Sequence, residues 1–167
     1  MVAARDWLVA GGVAVADQIL LTGWSYGGYL TLQALGTRPD LWAGGMAGIA
    51  IGDWALNYED SAEMPRQFDV ELFGGTPEEV PNRYARSSPI TYAEQVRAPV
   101  SVMQGRNDTR CPPRQLEVYA EKMLELGKQI EVHWFEAGHG SYATEQSIEH
   151  QELMLRFAYD ALGRSSH

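Results

Sequence analysis

The chain has one cysteine, Cys111, in 167 residues. A single thiol closes no internal disulfide, and a zinc site that needs two cysteines is excluded. No apolar run approaches the roughly 18 residues of a membrane span, so no membrane partner is expected. The opening Met1-Val2-Ala3-Ala4-Arg5-Asp6-Trp7 carries an early acid and lacks the apolar segment of a signal peptide. Together these absences favour a cytoplasmic protein. Positive charge is scarce: 13 lysines and arginines stand against 22 acids, for a net charge of −9. No basic cluster relieves that balance locally, so nucleic acid, whose phosphates would be repelled, is excluded as a partner. Low-complexity segments and internal repeats are also absent.

What is present is an ordinary globular mixture, 45% hydrophobic and 21% charged. A chain of this length makes one domain and buries about two-thirds of its unfolded surface. Residues 2–10 read as a helix with Ala3, Ala4, Trp7 and Leu8 on one face and Arg5 and Asp6 on the other. Strands are expected at 19–22, 45–51, 99–104 and 130–135. A helix over 29–35 stops at Gly36; another starts near Pro112-Pro113 and runs to Gly127. The last helix covers about 144–162, with Ile148, Leu155, Ala158 and Leu162 forming its buried stripe. Residues 53–92 hold acidic and aromatic residues between glycine and proline breakers. They read as short helices and loops over the carboxyl edge of the sheet, and so long a connection is usually functional. Helices alternating with strands predict an α/β fold with a mainly parallel sheet of about four strands.

The stretch 19–29 organises the rest. A short apolar strand runs into Gly23-Trp24-Ser25-Tyr26-Gly27, which fits G-x-S-x-G, with Gly28 next and a helix after it. A strand turning sharply into a helix around a serine is the nucleophile elbow of the α/β-hydrolases. The turn lifts the Ser25 hydroxyl over the sheet edge and aims the Tyr26 N–H at whatever lies above it. Side chains at Gly23 and Gly27 are expected to collide with the neighbouring backbone.

A serine hydroxyl attacks only when a base takes its proton, and the base needs an acid to orient it. Asp108 follows the third strand and His139 the fourth, so both leave the same edge as Ser25. Gly138 and Gly140 flank His139 and leave its imidazole free to swing. His133 lies inside a strand, His150 inside a helix and His167 at the terminus. Asp53, at the end of the second strand, is a competitor for the acid. Cys111, with no histidine near it in sequence, is expected to be a packed, inert thiol. Arg110 is expected to form a structural ion pair, the alternative being that it meets a substrate carboxylate. Trp54, Tyr58, Phe68, Phe73 and Tyr84 either line a pocket for an apolar side chain or form a small core of their own.

At these residues the sequence resembles the prolyl oligopeptidase family of serine peptidases. Gly23-Trp24-Ser25-Tyr26-Gly27-Gly28-Tyr29 looks like that family's nucleophile motif. Gln104-Gly105-Arg106-Asn107-Asp108-Thr109-Arg110-Cys111-Pro112 looks like its acid loop, and Phe135-Glu136-Ala137-Gly138-His139-Gly140 like its histidine loop. The resemblance implies the C-terminal portion of an α/β-hydrolase fold, one partial domain over 1–167. It implies a triad of Ser25, Asp108 and His139; the residues themselves offer the Tyr26 N–H as oxyanion donor and Trp54, Tyr58 and Arg110 as candidate substrate contacts. It also implies cleavage of peptide bonds in short peptides through an acyl-enzyme, as in acylaminoacyl and dipeptidyl peptidases, without metal or cofactor. The family's earlier strands, its β-propeller and its second oxyanion donor have no counterpart among these residues. Impaired turnover, an esterase acting on small acyl esters, or a silent fragment that self-associates are the alternatives. With a neighbour missing, the strand at 19–23 presents an open edge, and a homo-oligomer formed through it is expected.

Overall fold

The computed structural model describes residues 1–140 and 143–163. His167 and Ser141, the end of the histidine loop, lie outside the described residues. After helix α1 (Val2–Ala10) come β1 (Leu20–Trp24), α2 (Tyr26–Thr37) and β2 (Gly44–Gly48). Three short helices follow, α3 (Trp54–Asp60), α4 (Glu63–Phe73) and α5 (Pro81–Ser87), with a 3₁₀ segment at Pro89–Gln95. The chain then forms β3 (Val100–Gly105), α6 (Pro113–Glu125), β4 (Ile130–Phe135) and α7 (Thr144–Ala161). The strands make one parallel sheet in the order β1-β2-β3-β4.

Pleating alone assigns the two cores, because successive side chains leave a strand on opposite faces. Ala47, Val100, Val102 and Val132 turn to a face filled by Leu32 and Leu35 of α2 and by Leu116, Tyr119 and Met123 of α6. Met46, Met103 and Phe135 turn to the other, where Leu153, Met154 and Phe157 of α7 meet them. Both middle strands are buried along their whole length, as a parallel sheet covered on both faces requires.

Three local readings are corrected. In α1 the inward residues are Val2, Arg5, Leu8 and Val9, while Trp7 stays 71% exposed. Arg5 turns in, its guanidinium donating to the Leu41 and Ala16 carbonyls (3.0 and 2.9 Å). In α7, Ile148 and Leu155 are exposed, and the packed stripe is Leu153, Met154, Phe157 and Ala161. Gly44 explains the choice: a side chain there would meet Phe157 and Ala161 at 3.2 Å, so β2 offers this stripe a fitted surface. Helix α2 starts directly at Tyr26 and runs through Gly36 to Thr37. Gly36 sits within it because Tyr92 packs on its Cα, 2.5 Å from where a Cβ would stand.

Candidate active site

The turn from β1 into α2 holds Ser25 at φ 56°, ψ −118°, a region that L-residues rarely occupy. Two backbone hydrogen bonds keep it there. The Ser25 N–H donates to the Gly48 carbonyl at the end of β2 (2.8 Å), and the Tyr29 N–H donates to the Ser25 carbonyl (3.0 Å). Gly23 is required because a Cβ at that position would lie 2.3 Å from the Gly27 carbonyl oxygen. Gly27 differs from expectation: nothing stands within 4 Å of a Cβ built there. The crowding falls on the main chain of residue 27, not on its missing side chain.

Asp108 is carried by the turn after β3, and its side chain is completely buried. Its Oδ1 accepts the N–H groups of Arg110 (2.7 Å) and Cys111 (2.9 Å), which locks the carboxylate in place. Its Oδ2 is left for the Nδ1 of His139, 2.9 Å away. The Nε2 of His139 lies 2.8 Å from the Ser25 Oγ. The order of partners defines the tautomer. Nδ1–H donates to a carboxylate that can only accept, so Nε2 bears the lone pair and accepts the serine proton.

The loop after β4 reaches this position because it is tied to the acid loop. The Arg106 N–H donates to the Phe135 carbonyl (2.9 Å) and the Asn107 N–H to the Ala137 carbonyl (3.1 Å). Gly105 allows the approach, since a Cβ there would stand 2.3 Å from the Gly138 carbonyl. Chemically, the three side chains make a hydroxyl whose proton has an oriented acceptor. Tyr26 opens α2, so its N–H has no partner within the helix and projects from the positive end beside that hydroxyl.

The other candidates fall elsewhere. Asp53 caps α3, its Oδ1 accepting the N–H groups of Ala55 (2.8 Å) and Leu56 (3.3 Å). His133 bonds Glu131, and the ring of His150 packs on Trp24 and Phe135. Trp54 is buried among Tyr29 and Phe73 and contributes to a cleft of about 290 Å³ with Tyr26, Leu72 and Arg86. Tyr58 is not part of that cleft; it sits against Tyr84, with the Arg66 guanidinium over its ring. Phe73 and Tyr84 pack with their ring centres 4.1 Å apart as a core within the excursion, whereas Phe68 is exposed. Arg110 is exposed and forms no salt bridge among the described residues, contrary to the ion pair expected of it.

Cys111 is the packed thiol expected, with one neighbour that its place in the sequence did not show. It is buried as expected, and burial pushes its thiol far up from the usual range, with Asp108 adding to the effect. Yet it does have a histidine close in space. Its sulfur, one ring nitrogen of His139 and a carboxylate oxygen of Asp108 all lie within 4.8 Å of one another. The signal was present in the spacing: Cys111 is three residues past Asp108, in a turn whose N–H groups converge on that carboxylate.

Fold and site together define an α/β-hydrolase with serine, histidine and aspartate in hydrogen-bond sequence. The prolyl oligopeptidase family model matches residues 1–165, and the chain belongs to that family. It is 28% identical to dipeptidyl aminopeptidase BIII of Pseudoxanthomonas mexicana, over 98% of this chain and 24% of that protein. Its fold superposes on the acylaminoacyl peptidase of Pyrococcus horikoshii with a TM-score of 0.87, at 28% identity, covering 98% of this chain and 27% of that one. A puromycin-hydrolyzing peptidase of Mycobacterium tuberculosis gives a TM-score of 0.91, again at 28% identity, with 98% and 25% covered. The chain thus spans about a quarter of the length of these relatives.

Proposed function

We propose that this chain carries the reacting residues of a serine peptidase that cleaves short peptides through an acyl-enzyme. The observation behind it is the relay Ser25 Oγ, His139 Nε2, His139 Nδ1, Asp108 Oδ2, with links of 2.8 and 2.9 Å. Ser25 attacks the scissile carbonyl while Nε2 takes its proton. Asp108 holds the ring and stabilises the imidazolium that forms; it stays ionised throughout. His139 then returns the proton to the leaving amine, and water repeats the sequence on the ester. The Tyr26 N–H stabilises the tetrahedral oxyanion, and one such donor is worth about 10²- to 10³-fold in rate. Peptides as substrates are supported by the relatives, which are named as acylaminoacyl and dipeptidyl peptidases. The cleft beside Tyr26, with Trp54 in its wall, is the proposed binding space for an apolar side chain. Arg110, exposed and without a salt bridge among the described residues, is proposed to meet a substrate carboxylate.

The outer edge of β1 supports a second part of this reading. β1 pairs only with β2 among the described residues, and Thr22 and Trp24 on it are exposed. An open edge beside apolar side chains recruits another strand, and we propose that it does so from a second copy. Light scattering should report a dimer or larger; a monomer at all concentrations overturns the assembly without touching the chemistry.

The chemistry is tested with a fluorophosphonate probe and mass spectrometry. The adduct is expected on Ser25 and absent in Ser25→Ala; well-folded protein that stays unlabelled refutes the hydrolase. Turnover of an acyl-peptide p-nitroanilide is expected, and turnover of p-nitrophenyl acetate alone would make the protein an esterase.

A further inference from the structure

The proximity of Cys111 to the relay has a consequence for how the site is controlled. Cys111 is buried, 3% exposed, beneath the relay. Sulfur, imidazole nitrogen and carboxylate oxygen lie within 4.8 Å of one another. A tetrahedral zinc with bonds of about 2.0–2.3 Å holds its ligand atoms roughly 3.5 Å apart. About an ångström of contraction therefore converts the group into a three-ligand site. His139 sits in a glycine-flanked loop that can supply the movement, and its side chain is 23% exposed, which gives the ion a way in.

We propose that Cys111, His139 and Asp108 bind a thiophilic divalent cation of the zinc class, and that this binding switches the hydrolase off. The donor set fits such an ion. One thiolate and one carboxylate match its double charge, and the imidazole adds a borderline-soft nitrogen. A water completes the tetrahedron. On binding, the metal–sulfur bond replaces the thiol S–H bond, that proton leaves to solvent, the imidazole stays neutral and no electron changes hands. Inhibition follows whichever ring nitrogen is used. At Nδ1 the ion displaces the Asp108 hydrogen bond; at Nε2 it displaces that of Ser25. Either way the serine loses its base. The net charge of −9 raises the local concentration of any cation.

The inhibition half rests on the peptidase reading; the binding half does not. Cobalt(II) added to metal-free protein is expected to give a thiolate-to-cobalt charge-transfer band that saturates at one equivalent. Cys111→Ala should lose the band, and His139→Ala should weaken binding at least about tenfold. Zinc should block fluorophosphonate labelling of Ser25, a chelator should restore it, and Cys111→Ala should require at least about tenfold more zinc for the same block. Cys111→Ser, nearly isosteric, repeats each measurement should the alanine variant fold poorly. No band with wild-type protein, an undiminished band in His139→Ala, or equal zinc sensitivity in the Cys111 variants overturns the proposal. Absence of labelling even without zinc overturns the hydrolase instead and leaves the cobalt result standing alone.

Discussion

Asp69 on α4 is 2% exposed, and its Oδ2 accepts no hydrogen bond among the described residues. Burial pushes its carboxyl up from the ordinary 3.8 to about 6, and a hydrogen bond from Asn57 only partly offsets this. The sign of the stability effect follows by linkage. Below the unfolded value both states hold the proton, and the site costs nothing. Between the two values the native state keeps a proton that the unfolded chain releases, so stability falls as pH rises. Above about 6 both forms are ionised and the full cost is present. Two units at about 1.4 kcal/mol each make that cost about 3 kcal/mol. Asp69→Asn removes the titration and offers an amide donor to its neighbour Asn57, whose Oδ1 is buried without a partner among the described residues. Urea unfolding of both proteins, followed by tryptophan fluorescence, gives the difference in stability from about pH 4 to about pH 8. The variant should gain on the wild type by about 2.5 kcal/mol across that range, since a little of the cost is already present at about pH 4, whatever the offset at the acid end. A flat difference would mean that the carboxyl titrates normally. A difference that shrinks with pH would mean a stabilised carboxylate, and would refute the argument.

Asp108→Asn should lower kcat by about 10⁴-fold with the fold intact, because an amide facing Nδ1 turns the proton-bearing nitrogen of His139 towards Ser25. An ordinary rate in the p-nitroanilide assay would remove Asp108 from the relay. Gly23→Ala drives a Cβ against the Gly27 carbonyl and should cost about 1–3 kcal/mol in urea titrations, with slower labelling of Ser25. Tyr119→Phe removes a hydroxyl that is buried without a partner among the described residues and should stabilise the protein by about 1 kcal/mol. A lower melting temperature would reveal a bond to that hydroxyl.

The strands and the helices between them were legible because buried parallel strands are short apolar runs and their crossovers carry a helical period. Where a helix had two apolar stripes to offer, pattern alone chose badly. In α7 the choice between Ile148–Leu155 and Leu153–Phe157 belongs to the surface of β2, where Gly44 accepts a ring. In α1 the choice belongs to two carbonyls that Arg5 reaches.

Ser25, Asp108 and His139 could be named from sequence because each leaves the same end of a parallel strand, a consequence of topology that needs no coordinates. Their contacts could not. Distances of 2.8 and 2.9 Å depend on Gly105 admitting the histidine loop and on two N–H groups holding Asp108 still. Cys111 marks the same boundary more sharply. Sequence separates it from His139 by a helix and a strand, while the fold closes that interval to within 4.8 Å. Residue order dictates which groups arrive at the rim of the sheet. Side-chain packing and close backbone contact across adjacent strands decide which of them touch.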